Sequence, residues 1–163
     1  QSVTGLDQYI PSCKEEHILL LENKESFYSA SSGTDPFTGY LYLGGFPNSA
    51  AAILIKKLAE ASQRISCFCD LDPAGILIAE KVQQIAGTFV DFFKMDVETY
   101  ETYRQYGYQL SSNELKKLSS STDPHFTSLI EAIRAHGVGV EQEIVRGLTP
   151  KWGINHAILQ FFS

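Results

Sequence analysis

Ile65-Ser66-Cys67-Phe68-Cys69-Asp70-Leu71-Asp72-Pro73-Ala74-Gly75 is the stretch that decides the fold. A short apolar run ends in two carboxylates one residue apart, and a proline, a glycine and an amphipathic pattern follow at once. The run reads as a strand over 65–69 and the pattern after it as a helix over about 73–86, with Pro73 suited to a first turn and Gly87 to an end. Asp70 and Asp72 then lie at or just past the C-terminal end of a strand, where ligands bind in open α/β sheets. Period-two geometry puts both carboxylates on one side of an extended backbone. Two hard oxygen donors suit a magnesium ion, which takes one or two carboxylates and completes its shell with water or phosphate. The other reading open to the pair is that Asp70 or Asp72 caps the helix that starts at Pro73.

Working outward, His17-Ile18-Leu19-Leu20-Leu21 is a continuous apolar run that ends in Glu22-Asn23-Lys24. Without alternation, it reads as a strand over 17–22 buried on both faces, as in a parallel sheet. Glu22 then also lies at a strand C-terminus, and two strands that deliver acids at the same edge make one acidic site. A short helix or turn is expected over 24–30, a flexible stretch over 31–36 and a second strand over 40–43, ending at Gly44-Gly45-Phe46-Pro47. Asn48 or Ser49 caps an alanine-rich helix to about residue 62. Residues 89–93 read as a fourth strand. Short helices are expected over 97–104, from a capping box at Ser111-Ser112-Asn113-Glu114 to about 118, over 123–135 with a stop at Gly137, and over 140–146. The tail around Trp152 reads as irregular and then helical. Strands alternating with helices imply a parallel sheet, here four-stranded and flanked by helices, with a helical C-terminal extension.

Composition bounds the function. The 163 residues suffice for one domain with a proper core. Hydrophobic residues make up 44% and mean hydropathy is −0.09, as expected of a soluble globular protein. No apolar stretch reaches the roughly 18–20 residues of a membrane span, and no signal peptide is expected. The chain begins without methionine, which reads as a C-terminal fragment of a longer protein. The net charge of −6 argues against a broad basic face for nucleic acid. It leaves open a metal-dependent phosphodiester site, where the cation supplies the local positive charge. Three cysteines, Cys13, Cys67 and Cys69, without framework spacing suit a reduced, cytoplasmic setting. Cys67 and Cys69 read as buried strand cysteines rather than a soft-metal pair.

The motifs together resemble the Toprim fold, shared by topoisomerases, primases, certain nucleases and recombination proteins. They are a glutamate at the end of the first strand, a glycine-bearing turn after the second, and Asp-x-Asp-x-x-Gly after the third. Glu22-Asn23-Lys24-Glu25-Ser26-Phe27, Leu43-Gly44-Gly45-Phe46 and Cys69-Asp70-Leu71-Asp72-Pro73-Ala74-Gly75 are similar to the C-terminal Toprim domain of the JetD proteins of Wadjet defence systems. Gly139-Val140-Glu141-Gln142-Glu143 resembles that family's late acidic motif. The resemblance covers about residues 15–146 and departs locally, with Cys69 where the family often has glycine. It implies a single Toprim-like, Rossmannoid domain over 1–163. It further implies a DNA endonuclease subunit that works with an SMC-like, condensin-type complex to cleave invading double-stranded plasmid DNA. The relation of that family to the topoisomerase VI A subunit implies a homodimer whose two sites cut both strands.

Metal-assisted hydrolysis is the chemistry that follows. Asp70 and Asp72 hold Mg²⁺ or Mn²⁺, and Glu22 completes the shell or acts as general base on water. Glu141 and Glu143 share a face only if extended and splay by about 200° on a helix. At most one of them is expected to support the site or a second metal, the alternative being a solvated helix surface. Lys24 is a candidate phosphate contact or a solvated strand-end lysine. Gly44 and Gly45 form an anion-binding nest or a plain tight turn. His17, His125, His136 and His156 are scattered and carry no assignment, and Ser49 lacks triad partners by spacing. Tyr100, Tyr103, Tyr106 and Tyr108 either pack the C-terminal helices, form a dimer surface or stack on bases. Two other classes stay in view. One is an inactive Toprim module that binds DNA or protein. The other is an Asp-x-Asp phosphatase of the haloacid dehalogenase type. The latter expects the pair on its first strand with Thr or Val after the glycine, whereas here the pair ends the third strand and Ile76 follows Gly75.

Overall fold

A computed structural model describes residues 17–31, 36–37, 39–61 and 64–147. Cys13, His156, the tail around Trp152 and residues 32–35 of the expected flexible stretch lie outside the described residues. The architecture is α/β, a four-stranded parallel sheet flanked by helices. Strand β1 is His17–Leu21, β2 Gly39–Tyr42, β3 Arg64–Phe68 and β4 Asp91–Phe92, in the order β2-β1-β3-β4. Every pairing is parallel.

Burial explains the two central strands. Leu19, Leu20 and Leu21 of β1, and Cys67 and Phe68 of β3, are all fully buried. Both faces are covered, so the sequence shows no alternation. Edge strand β2 is only half-buried. The opposite edge, β4, is two residues long, shorter than the expected 89–93, because Phe93 and Lys94 turn the chain away. Cys67 and Cys69 are free thiols buried in this core, their sulfurs 3.6 Å apart, as read from the sequence.

The helices start and stop where local chemistry dictates. In α1 (Lys24–Ser31) the Asn23 side chain accepts from the N–H groups of Glu25 and Ser26. In α2 (Ser49–Glu60) Asn48 caps Ala51. In α3 (Pro73–Ala86) Asp72 is the cap, Pro73 opens the first turn and Gly87 closes the helix in the left-handed region at φ 64°. Helices α2 and α3 pack against each other and both touch β3.

Beyond residue 95 come α4 (Val97–Tyr103), α5 (Ser112–Lys117) with its capping box at Ser111 and Glu114, and α6 (Thr127–His136), which Gly137 ends. The expectation of an all-helical extension is corrected here. Tyr108–Gln109 (β5) and Val138–Gly139 (β6) pair antiparallel, and Val140 bridges to Leu71. The last helix, α7 (Gln142–Val145), therefore starts later than the expected residue 140. These strands are two residues each, too short for a period to show in sequence. Among the described residues, no helix is long and apolar enough to cross a membrane.

Candidate active site

Strand order places the site. From β1 the chain goes to β2 on one side, and β3 lies on the other side of β1. The crevice past the carboxyl ends of β1 and β3 is thus a topological switch point, where open α/β sheets bind ligands. Register then aligns the acids. Leu21 is level with Phe68, and the Glu22 N–H still donates to the Phe68 carbonyl at 3.3 Å. Glu22 is one residue past this pairing and Asp70 two. The Asp70 N–H donates to Glu22 Oε2 at 3.2 Å.

An open groove of about 390 Å³ runs over this edge, lined by Glu22, Asn23, Lys24, Glu25, Tyr42, Gly44, Gly45 and Asp70. It brings together Glu22, Lys24, Gly44, Gly45 and Asp70, five of the residues singled out from sequence. Lys24 is exposed, its ammonium 5.8 Å from the centre of the Tyr28 ring. Gly44 and Gly45 both have positive φ, at 69° and 108°, which only glycine adopts readily. The Gly44 N–H donates to the Glu22 carbonyl at 3.2 Å. This turn therefore extends the β1–β2 pairing, and that N–H is not offered to an anion.

Asp72 lies behind the groove. Its Oδ1 accepts from the Gly75 N–H at 2.7 Å and its Oδ2 from the Tyr108 hydroxyl at 2.6 Å. It is buried, caps α3 and is not among the groove-lining residues. The capping reading describes Asp72, and the acids that line the groove are Glu22, Glu25 and Asp70, of which Glu22 and Asp70 meet directly.

Charge is concentrated here. Burial, followed by the neighbouring Glu22 carboxylate, pushes the Asp70 carboxyl well above the usual range, and Asp72 and Glu143 push the same way. The Gln142 N–H, which donates to Asp70 Oδ1 at 2.7 Å, pulls it back. Burial and the Asp72 carboxylate likewise raise the Tyr108 hydroxyl, which stays protonated and donates. Among the described residues, no three His, Cys, Asp or Glu side chains gather as an all-protein metal cage. Magnesium does not need one, since it commonly takes one or two carboxylates and keeps its waters. Glu22 and Asp70 fit that donor set, and their mutual repulsion is what a cation would relieve.

The antiparallel bridge between Leu71 and Val140 docks the C-terminal segment onto the Asp-x-Asp turn, with N–H···O distances of 2.8 and 3.1 Å. It brings the late motif to the site, but not with its acids in the groove. Glu141 is buried at the N-terminal boundary of α7, and Glu143 is wholly buried. Their expected alternative, a solvated helix surface, is corrected by this burial. Gln142 is the residue of this motif with the central position. Its backbone N–H holds Asp70. Its side-chain Nε2 donates to the Phe68 carbonyl at 2.6 Å, and its Oε1 accepts from the Asn23 N–H at 3.0 Å. Sequence reasoning passed over it for the flanking glutamates.

Tyr108 was missed too, as one of four tyrosines with no distinguishing spacing. Tyr100 is buried and donates to the Val138 carbonyl, and Tyr103 and Tyr106 pack on the core, which supports the packing reading over base stacking for these three. The histidines among the described residues lie apart from the groove. His17 meets the Ser66 hydroxyl at 2.8 Å at the amino end of β1, and that hydroxyl donates to Asp91. His136 pairs with Glu101.

The site is thus an acid-lined switch point on a small parallel sheet, and comparison with known proteins gives the family. The chain belongs to the family described as "Protein of unknown function C-terminus (DUF2399)", which matches residues 6–149. It is also similar to a protein named "Wadjet protein JetD" from Bacillus cereus (strain Q1), 27% identical over 139 residues. That match covers 80% of this chain and 34% of the relative, so the chain spans about a third of that relative's length.

Proposed function

We propose that this chain is a Toprim-type nuclease domain that hydrolyses DNA phosphodiesters with Mg²⁺ or Mn²⁺ as part of a Wadjet-type anti-plasmid complex. The observation that carries the reading is the union of Glu22 and Asp70, from adjacent strand ends, at the mouth of one groove. The likeness to the JetD protein supports the biological setting. Double-stranded plasmid DNA is then the substrate, SMC-like subunits are the partners, a homodimer cuts both strands, and the setting is cytoplasmic.

Glu22 and Asp70 would hold the cation, with Asp72 behind them fixing the turn that presents Asp70. The bound cation supplies Lewis-acid polarisation of the scissile phosphate. Glu22 stands beside Asp70, placed to share the cation or to take a proton from water at its edge. Lys24, exposed on the rim at the start of α1, meets a phosphate oxygen of the strand. The acidic groove repels DNA on its own, so grip comes from the partners and the cation.

The test uses the intact protein with its partner subunits, circular plasmid and Mg²⁺ or Mn²⁺, alongside Glu22→Ala and Asp70→Ala. Metal-dependent linearisation that both substitutions abolish is the expected outcome. Intact plasmid under every metal, with DNA or partner binding retained, would replace this reading with that of an inactive binding module.

A further inference from the structure

We infer that Gln142 is a positioning residue which sets the spacing of the two metal-binding strand ends. The inference rests on the nuclease reading and deepens it. Glu22 follows β1 by one residue and Asp70 follows β3 by two, and past the sheet the regular pairing between these strands runs out. Gln142 takes over there. It reaches β3 and the turn after it, through Nε2 to the Phe68 carbonyl and through its backbone N–H to Asp70 Oδ1. It reaches the segment that follows β1 once, through Oε1 to the Asn23 N–H. A single residue with no solvent exposure thereby ties together the positions flanking both acids.

The amide is the side chain this place requires. One end must donate to a carbonyl and the other accept from an N–H, and both partners are buried main-chain groups, one at the end of β3 and one just past β1. A carboxylate of the same shape has no donor for Phe68 and would add charge beside Asp70. An apolar side chain takes the acceptor from the Asn23 N–H and leaves the Phe68 carbonyl with the Glu22 N–H alone. The Asn23 contact has a second consequence. The Asn23 side chain caps α1, so Gln142 also fixes where Lys24 emerges.

The Gln142 backbone N–H survives substitution, so side-chain variants separate the tie from the direct contact to Asp70. Mn²⁺ binding to the intact protein is measured by electron paramagnetic resonance, and linearisation of plasmid with the partner subunits, for wild type and Gln142→Met. Ser121→Ala serves as the stability control, because it removes a hydrogen bond to Glu80 remote from the groove. Loss of a partner that orients metal ligands costs about 10–100-fold in metal affinity. Gln142→Met is therefore expected to bind Mn²⁺ at least about tenfold more weakly, with cleavage recovered in part by raised Mn²⁺. Ser121→Ala binds Mn²⁺ as wild type does. Should Gln142→Met not fold, Gln142→Asn keeps an amide too short for both contacts and is expected to weaken Mn²⁺ binding likewise. Unchanged Mn²⁺ affinity in a folded variant, or equal weakening in Ser121→Ala, overturns the inference while leaving the nuclease reading intact. A wild-type protein that neither binds Mn²⁺ nor cuts DNA overturns both.

Discussion

Replacing Gly75 with alanine sets two effects of opposite sign against each other. Gly75 lies in the first turn of α3, and alanine is favoured over glycine in a helix by about 1 kcal/mol. Helix propensity alone therefore predicts a gain. A Cβ on Gly75, however, would stand 2.0 Å from the Asp70 carbonyl oxygen and 2.9 Å from the Asp70 nitrogen and carbonyl carbon. Ordinary contact distances require the Asp70 peptide or the helix end to retreat by about 1 Å or more. Overpacking of this kind costs about 1–3 kcal/mol. The retreat also loosens the Asp72 cap on the Gly75 N–H, worth about 1 kcal/mol. The steric effect wins, and the net loss is about 1–3 kcal/mol. For a chain of this size that is a fall in melting temperature of roughly 3–10 °C. A displacement of about 1 Å at a positioned group costs on the order of 100-fold in rate, so plasmid cleavage should fall by about that factor. Gly87→Ala is the control. Its φ of 64° makes alanine strained, yet nothing stands within 4 Å of its Cβ, so it costs about 1–2 kcal/mol and leaves Asp70 in place. Thermal denaturation followed by circular dichroism, paired with plasmid linearisation, reads both quantities. If Gly75→Ala melts at or above wild type and cuts normally, the close approach of α3 to Asp70 is refuted.

Asp70→Asn tests the charge cluster. Because the Asp70 carboxyl is raised in the fold, its contribution to stability is present below the ordinary carboxylate range and lost as pH rises through the raised value. At neutral pH without divalent cation, Asp70→Asn should melt above wild type. Mg²⁺ at about 100 times its dissociation constant should add about 2.7 kcal/mol to wild type and almost nothing to Asp70→Asn. Glu143→Gln removes one of the negative neighbours that raise Asp70, so the pH midpoint of Mn²⁺ binding should move down; an unmoved or raised midpoint would count against the cluster. Tyr108→Phe removes the donor to a buried carboxylate, a loss of about 1.5–3 kcal/mol by urea denaturation at pH 8. The raised Tyr108 hydroxyl contributes stability that is present below its ordinary value of 10.0 and fades above it. Wild type should accordingly lose more stability than Tyr108→Phe between pH 9 and about 11, and parallel losses would sink that assignment.

Legibility of the fold followed the length and monotony of each signal. The run from His17 to Leu21 and the helix from Pro73 to Ala86 stood out because burial on both faces, a cap, an N1 proline and a left-handed glycine all agree there. The capping box at Ser111 was legible for the same reason: both of its bonds lie within four residues. Strands β4, β5 and β6 have two residues each and owe their existence to what lies opposite them. In the site, Glu22 and Asp70 were readable because acids at the ends of apolar runs are conspicuous. Asp72 shared the same pattern but turned inward. A side chain one position from a helix start can satisfy the helix as readily as a ligand, and the Tyr108 hydroxyl that takes its second oxygen comes from 36 residues away.

The sequence by itself determined the strand–helix alternation and the carboxyl-edge position of the acids. Each depends on residues within a few positions of one another, plus the parallel register that buried apolar runs impose. Only the tertiary structure decided which oxygens face the groove and what holds them. Gln142 and Tyr108 reach the acids across 72 and 36 residues, through a bridge between Leu71 and Val140 that no local pattern announces. A buried polar side chain takes its role from the partners that satisfy it, and those partners come from elsewhere in the chain.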